Sequence, residues 1–111
     1  MLDYVALEAL PELRKAAELA PDQPRYAYVY AVGLHSAGRA ADAIVILKES
    51  LARRPEDRET LQALISFSSK AGDVVTALEY AERLARITPN DHDLARLIEN
   101  LRRATSSTGS K

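Results

Sequence analysis

The sequence predicts an all-α fold, an antiparallel helix-hairpin solenoid of about six helices. Three observations predict it. Pro21, Pro55 and Pro89 stand 34 residues apart, each followed by a polar pair, and the same interval links Gly38 to Gly72, Ala9 to Ala43 to Ala77, and Leu10 to Ile44 to Leu78. Between these marks, apolar residues recur at i, i+3, i+4 and i+7, the stripe of an amphipathic helix. Glycine and proline alternate as punctuation, one inside each interval and one at its close. A fixed period of this length marks stacked helix–turn–helix units, because each unit buries its apolar face only against its neighbours.

Taken in order, helices are expected at about 7–19, 24–36, 40–53, 58–70, 74–87 and 92–102. The first carries Ala9, Leu10, Leu13 and Ala17 and ends before Pro21; Pro11 sits early in it, where a missing amide donor is tolerated in the first turn but could otherwise kink the helix. The second carries Ala27, Tyr30, Ala31 and Leu34 and stops at Gly38, which can take a positive φ. The third follows with Ala43, Ile44, Leu47 and Leu51 and is closed by Pro55. The fourth (Leu61, Leu64, Ile65, Ser68) and the fifth (Ala77, Leu78, Ala81, Ala85) repeat the plan around Gly72 and Pro89. Asp57, Asp73 and Asp91 each precede a helix as N-caps.

The last helix sets Leu94, Leu97, Ile98 and Leu101 opposite a polar face, as the cap of an array requires. The domain plan is therefore a partial repeat at 1–23, repeats at 24–57 and 58–91, and a capping helix at 92–103, with 104–111 read as a disordered tail. The partial repeat lacks its first helix, so the N-terminal side reads as open. Leu2, Tyr4, Val5 and Leu7 are expected to cover that flank in part, and the remaining apolar edge favours a homodimer.

Composition narrows the function. With 15 basic and 16 acidic residues in 111, the net charge is −1, so no global field recruits nucleic acid or anionic lipid. The basic pairs Arg14-Lys15, Arg53-Arg54 and Arg102-Arg103 sit in the later halves of helices, where cations complement the helix dipole, and acidic residues intersperse them. The absence of cysteine excludes disulfides and thiolate metal sites. No apolar run is long enough to span a bilayer, and no signal pattern opens the chain. The compartment stays open: cytoplasmic by default, periplasmic if the segment belongs to an exported parent. His35 and His92 stand in different units without a carboxylate or thiol at ligand spacing, and the four glycines are isolated rather than gathered into a phosphate loop. An enzyme is not indicated, nor is a cofactor or metal. Tyr30 belongs to an apolar stripe, Tyr26 lies one turn before it and reads as core, and Tyr28 points elsewhere.

These residues resemble the tetratricopeptide repeat, whose signature runs W-x₂-L-G-x₂-Y, A-x₃-F, P. The first full unit reads Ala27-x₂-Tyr30-Ala31-x₂-Leu34, Ala43-x₃-Leu47, Pro55; the second reads Leu61-x₂-Leu64-Ile65-x₂-Ser68, Ala77-x₃-Ala81, Pro89. The likeness covers roughly residues 3 to 103, and the chain resembles the C-terminal end of a bacterial-type array. It implies a right-handed superhelix, no catalysis, and binding of a protein or peptide on a concave surface lined by the first helix of each repeat. On those helices the lining positions are Tyr28, Val32 and His35, then Gln62, Ser66 and Ser69, then Arg96, Asn100 and Arg103. An acidic peptide, or one ending in a free carboxylate, would suit Arg96 and Arg103. The same positions also read as solvated polar residues on a short array.

Two other roles stay open: self-assembly through the N-terminal edge, and an accessory domain of a larger enzyme. Family members that clamp chaperone tails use Lys, Asn and Arg where this chain has Tyr28, Val32, Ala63, Asp93 and Leu97, so co-chaperone function is not implied. The stretch from Arg25 to Val32 is similar to repeats at the C-terminal end of some large bacterial proteins, multihaem cytochromes among them, but the chain has no haem-attachment motif.

Overall fold

The computed structural model describes residues 2–109, with side chains described from 9 to 106. Among the described residues there are six α-helices and no strand: α1 (Leu2–Leu19), α2 (Pro24–Ser36), α3 (Ala40–Arg53), α4 (Arg58–Lys70), α5 (Val74–Ile87) and α6 (His92–Gly109). The four inner helices have the limits that the periodicity predicts, and the outer two are longer. α1 starts at Leu2, which moves Pro11 from an opening turn into the helix interior. The disordered tail is corrected over 104–109, where α6 continues to Gly109. Neither glycine nor proline interrupts the chain before that point, and the Thr105 hydroxyl turns back to donate to the Arg102 carbonyl at 2.8 Å. Adding residues to a helix already nucleated costs little. Ser110 and Lys111 lie outside the described residues, as do the side chains of Leu2, Tyr4, Val5 and Leu7, on which the covering of the open flank depends.

The chain forms two compact units, residues 1–60 and 61–111. In the first, α2 packs against both α1 and α3. Its core is Tyr30, Ala31 and Leu34 from α2 with Ala43, Leu47 and Leu51 from α3. On the other flank of α2, Gly33 makes room for α1. A β-carbon there would stand 3.1 Å from Leu10 Cδ2 and 3.2 Å from Leu13 Cδ1. Leu10 and Leu13 are thus committed to α2. Among the described side chains of α1, Pro11, Glu12, Arg14, Lys15 and Glu18 face solvent, and Leu19 is an exposed large apolar residue.

In the second unit, α4 contributes Leu61, Ala63, Leu64, Ile65 and Phe67 to the core, α5 contributes Ala77, Tyr80, Ala81 and Leu84, and α6 contributes Leu94, Ile98 and Leu101. Buried Ala63, Phe67, Tyr80 and Leu84 widen the narrow stripes read from sequence. A helix packed in a globular core buries an apolar arc of about 100° or more, broader than one seam. Tyr26 corrects the reading in the other direction: it stands in the first turn of α2 and is 46% exposed.

Two kinds of turn alternate. After α2 and α4, Gly38 and Gly72 adopt φ of 84° and 80°. The next amide in each case reaches back over the turn, Arg39 N–H to the Leu34 carbonyl at 2.8 Å and Asp73 N–H to the Ser68 carbonyl at 2.9 Å. This satisfies carbonyls that the helix end leaves open. After α3 and α5 the chain instead turns through Pro55 and Pro89. The next helix then starts on an aspartate: Asp57 Oδ2 accepts from Thr60 N–H at 3.0 Å, and Asp91 Oδ1 from Leu94 N–H at 3.0 Å. Asp73 does the same for α5 through Thr76 N–H at 3.1 Å. All three expected caps are in place.

A β-carbon at Gly38 or Gly72 would meet nothing within 4 Å, so only backbone strain opposes one. Gly38→Ala and Gly72→Ala are each expected to lower stability by about 1–2 kcal/mol, the cost of a left-handed residue with a side chain. Thermal unfolding measures it, and an unchanged midpoint in both variants would refute the strain.

Candidate peptide-binding faces

Each group of three candidate residues lies on one face of one helix, because i, i+4 and i+7 fall within a narrow arc. On α2 the face holds Tyr28 and His35, both half-buried, and Val32, which is 37% exposed although apolar. On α4 it holds exposed Gln62 and Ser69 around half-buried Ser66. On α6 it holds Arg96, Asn100 and Arg103, all exposed.

The α2 face is braced by a residue outside the expected lining. The Arg25 guanidinium lies over the Tyr28 ring, 5.5 Å from its centroid, and Arg25 Nη1 donates to Glu59 Oε2 at 2.6 Å. A cation over an aromatic face is attracted by the ring quadrupole. The contact with Glu59 ties the start of α2 to the first turn of α4. The signal that could have found this pair is the repeat interval itself, since Arg25 and Glu59 are 34 residues apart and carry opposite charges.

On α6 the two arginines already have partners on their own helix. Arg96 Nη2 donates to Asp93 Oδ1 at 3.2 Å, and Arg103 Nη2 donates to Glu99 Oε1 at 3.3 Å. Both pairs are exposed, and pairs of this kind contribute at most about 1 kcal/mol. An incoming carboxylate can therefore replace either partner at small cost. A third arginine on α6 pairs with the neighbouring helix. Its Nη2 donates to Glu82 Oε2 at 2.9 Å, so that Arg102 fastens α6 to α5. Tyr80, beneath Arg83 at 5.6 Å, is part of the core, and burial raises its phenol above the ordinary value.

His92 is the first residue of α6 and is exposed. Among the described residues no group of three or more His, Cys, Asp or Glu side chains could hold a metal ion. Among the same residues no helix is long and apolar enough to cross a membrane. Of the five positions compared with chaperone-tail clamps, Ala63 is buried and Asp93 is engaged with Arg96.

The sequence profile of the tetratricopeptide repeat matches residues 34–101, more than half of the chain. No curated protein matches it.

Proposed function

The chain belongs to the tetratricopeptide repeat family, whose repeats generally mediate contacts between proteins, and we propose that it is a non-enzymatic module that binds a protein segment on the first-helix faces. Tyr28, Val32 and His35 give the α2 face an apolar and aromatic character. Gln62, Ser66 and Ser69 give the α4 face neutral hydrogen-bonding groups, and Arg96, Asn100 and Arg103 make the α6 face cationic. The observation that carries this reading is the bracing of Tyr28 by Arg25, with Val32 left exposed beside it. A face held in one arrangement before its ligand arrives loses less conformational freedom on binding. The preferred ligand is an extended peptide with an acidic or free C-terminal end, because Arg96 and Arg103 are held only by exposed, replaceable pairs.

Fluorescent peptides ending in a free carboxylate, with amidated twins as controls, test this against the full chain by anisotropy. The free-carboxylate peptides are expected to bind more tightly than the twins. Replacing Arg96 and Arg103 together with alanine should weaken them about ten-fold and flatten their salt dependence. Stability should change by less than about 0.5 kcal/mol, as for other surface substitutions. Equal binding by the double variant would move the interface off α6, and equal binding by the amidated twins would remove the carboxylate from the recognition.

A further inference from the structure

A second chemical feature stands just beyond the cationic residues of α6. Arg102 and Arg103 are followed by Ala104, Thr105 and Ser106. The other basic pairs, Arg14-Lys15 and Arg53-Arg54, have no serine or threonine among the next four residues. A hydroxyl shortly after two arginines is the charge pattern that a kinase with an acidic substrate groove selects. The two hydroxyls differ in the structure. Thr105 is half-buried and donates to the Arg102 carbonyl at 2.8 Å, whereas Ser106 is exposed.

Phosphoryl transfer requires the acceptor oxygen in line with the γ-phosphate, so the residues around it must leave the helix. The cost of that opening is small here. Leu101 is the last buried residue of α6 among those described, and Arg102, Arg103, Ala104 and Ser106 are exposed. Unwinding the turns after Leu101 gives up no core side chain. The ion pairs at risk, Arg102 with Glu82 and Arg103 with Glu99, are exposed and weak.

Ser106 stands three residues after Arg103, and residues at that spacing are neighbours on one helix face. That face is the one formed by Arg96, Asn100 and Arg103. A phosphate on Ser106 would bring a charge of about −1.5 to −2 at neutral pH and three acceptor oxygens. Its competitor for Arg103 is the single carboxylate of Glu99, at 3.3 Å and with both side chains largely exposed. The phosphate is the stronger partner for a guanidinium. The C-terminal end of a helix repels an anion, so the last turn of α6 is expected to loosen, which frees the phosphate to turn back onto Arg103.

We propose that Ser106 is a phosphorylation site for a serine/threonine kinase that selects arginines ahead of the acceptor, and that its phosphate takes Arg103 from Glu99 and closes the α6 face to an incoming carboxylate. In the reaction the Ser106 oxygen attacks the γ-phosphorus of ATP. The bond from that phosphorus to the bridging oxygen breaks to release ADP, and the hydroxyl proton passes to the catalytic base of the kinase. The arginine that attracts a carboxylate is then neutralised, and the added negative charge repels one. The blocking rests on the carboxylate-binding reading given above; the site and its pairing with Arg103 do not.

The full chain is incubated with ATP labelled at the γ-phosphate and a purified kinase that selects upstream arginines, and the product is mapped by fragment mass spectrometry. Phosphate is expected on Ser106, absent in Ser106→Ala and reduced about ten-fold when Arg102 and Arg103 are both replaced by alanine. Full-length chains carrying phosphoserine at position 106 by peptide ligation, with and without Arg103→Ala, are then titrated by phosphorus NMR. The second ionisation of the phosphate is expected at lower pH when Arg103 is present, because a nearby cation favours the dianion. The phosphoserine chain should bind the free-carboxylate peptide about ten-fold more weakly than the unmodified chain, while the amidated twin binds both alike. Phosphate on Thr105, or none at all, overturns the site, and an ionisation unmoved by Arg103→Ala overturns the pairing. Unchanged peptide affinity overturns the blocking. A peptide that fails to bind the unmodified chain refutes the carboxylate reading and the blocking with it, while the mapping and the phosphorus titration still decide the site.

Discussion

Leu47→Ala and Leu64→Ala are each expected to destabilise the protein by about 2–5 kcal/mol, the range for a fully buried leucine cut back to its β-carbon. Both side chains are completely buried, Leu47 in the first unit and Leu64 in the second. The loss combines the transfer free energy of the missing carbons with the cavity that the helices cannot close. A domain of this size has a total stability of about 5–15 kcal/mol, so either variant can leave a measurable fraction unfolded at room temperature. Urea denaturation followed by far-UV circular dichroism gives the difference directly. A loss below about 1 kcal/mol in both variants would show that these positions relax freely and that the core lies elsewhere.

The opposite change at the neighbouring small positions is expected to be nearly as damaging. Ala43→Leu and Ala77→Leu should each lower stability by about 1–3 kcal/mol through overpacking. Both alanines are completely buried, and they stand 34 residues apart in equivalent turns of α3 and α5. The added branch has no space to enter and must displace a helix or force a strained rotamer. Ala43 lies one helical turn before Leu47, so a single stripe of α3 demands a small residue and a large one in a fixed order. Total core volume alone would not distinguish the two positions. Melting temperatures unchanged by both substitutions would mean that the close helix contacts are not at these alanines.

The inner helices are legible because most of their boundaries carry their own chemistry. Gly38 and Gly72 take the left-handed turns, Pro55 and Pro89 block continuation, and Asp57 and Asp73 cap the starts of α4 and α5. The outer ends carry no such marks. Pro11 reads as the first turn of a helix, yet α1 begins nine residues earlier, and nothing between Leu101 and Gly109 forbids α6 from continuing. Tyr26 departs from its expected burial because spacing gives the direction of a side chain but not whether a neighbour reaches that far along the helix. Phe67 and Tyr80, both buried, escape the periodic pattern for the converse reason, since the apolar arc of a core helix is wider than its strongest stripe. Of the candidate faces, the grouping of side chains can be read from spacing alone. The Arg25 contact with Glu59 and the intrahelical partners of Arg96 and Arg103 depend on which groups meet in space, and apolar periodicity does not encode that.

The ion pair between Arg25 and Glu59 makes the two full repeats non-interchangeable. Both residues occupy the same position of their repeats, so the sign of the charge tells one repeat from the next. A tandem copy of residues 24–57 inserted after Asp57 would set arginine against arginine where a carboxylate now stands. Two copies of residues 58–91 in succession would set glutamate against glutamate. Each exposed contact is weak, but like charges placed opposite one another repel. The pair therefore gives a weak preference for the present neighbour at this one junction, since the next position along the same interval, Asp93, carries the same charge as Glu59.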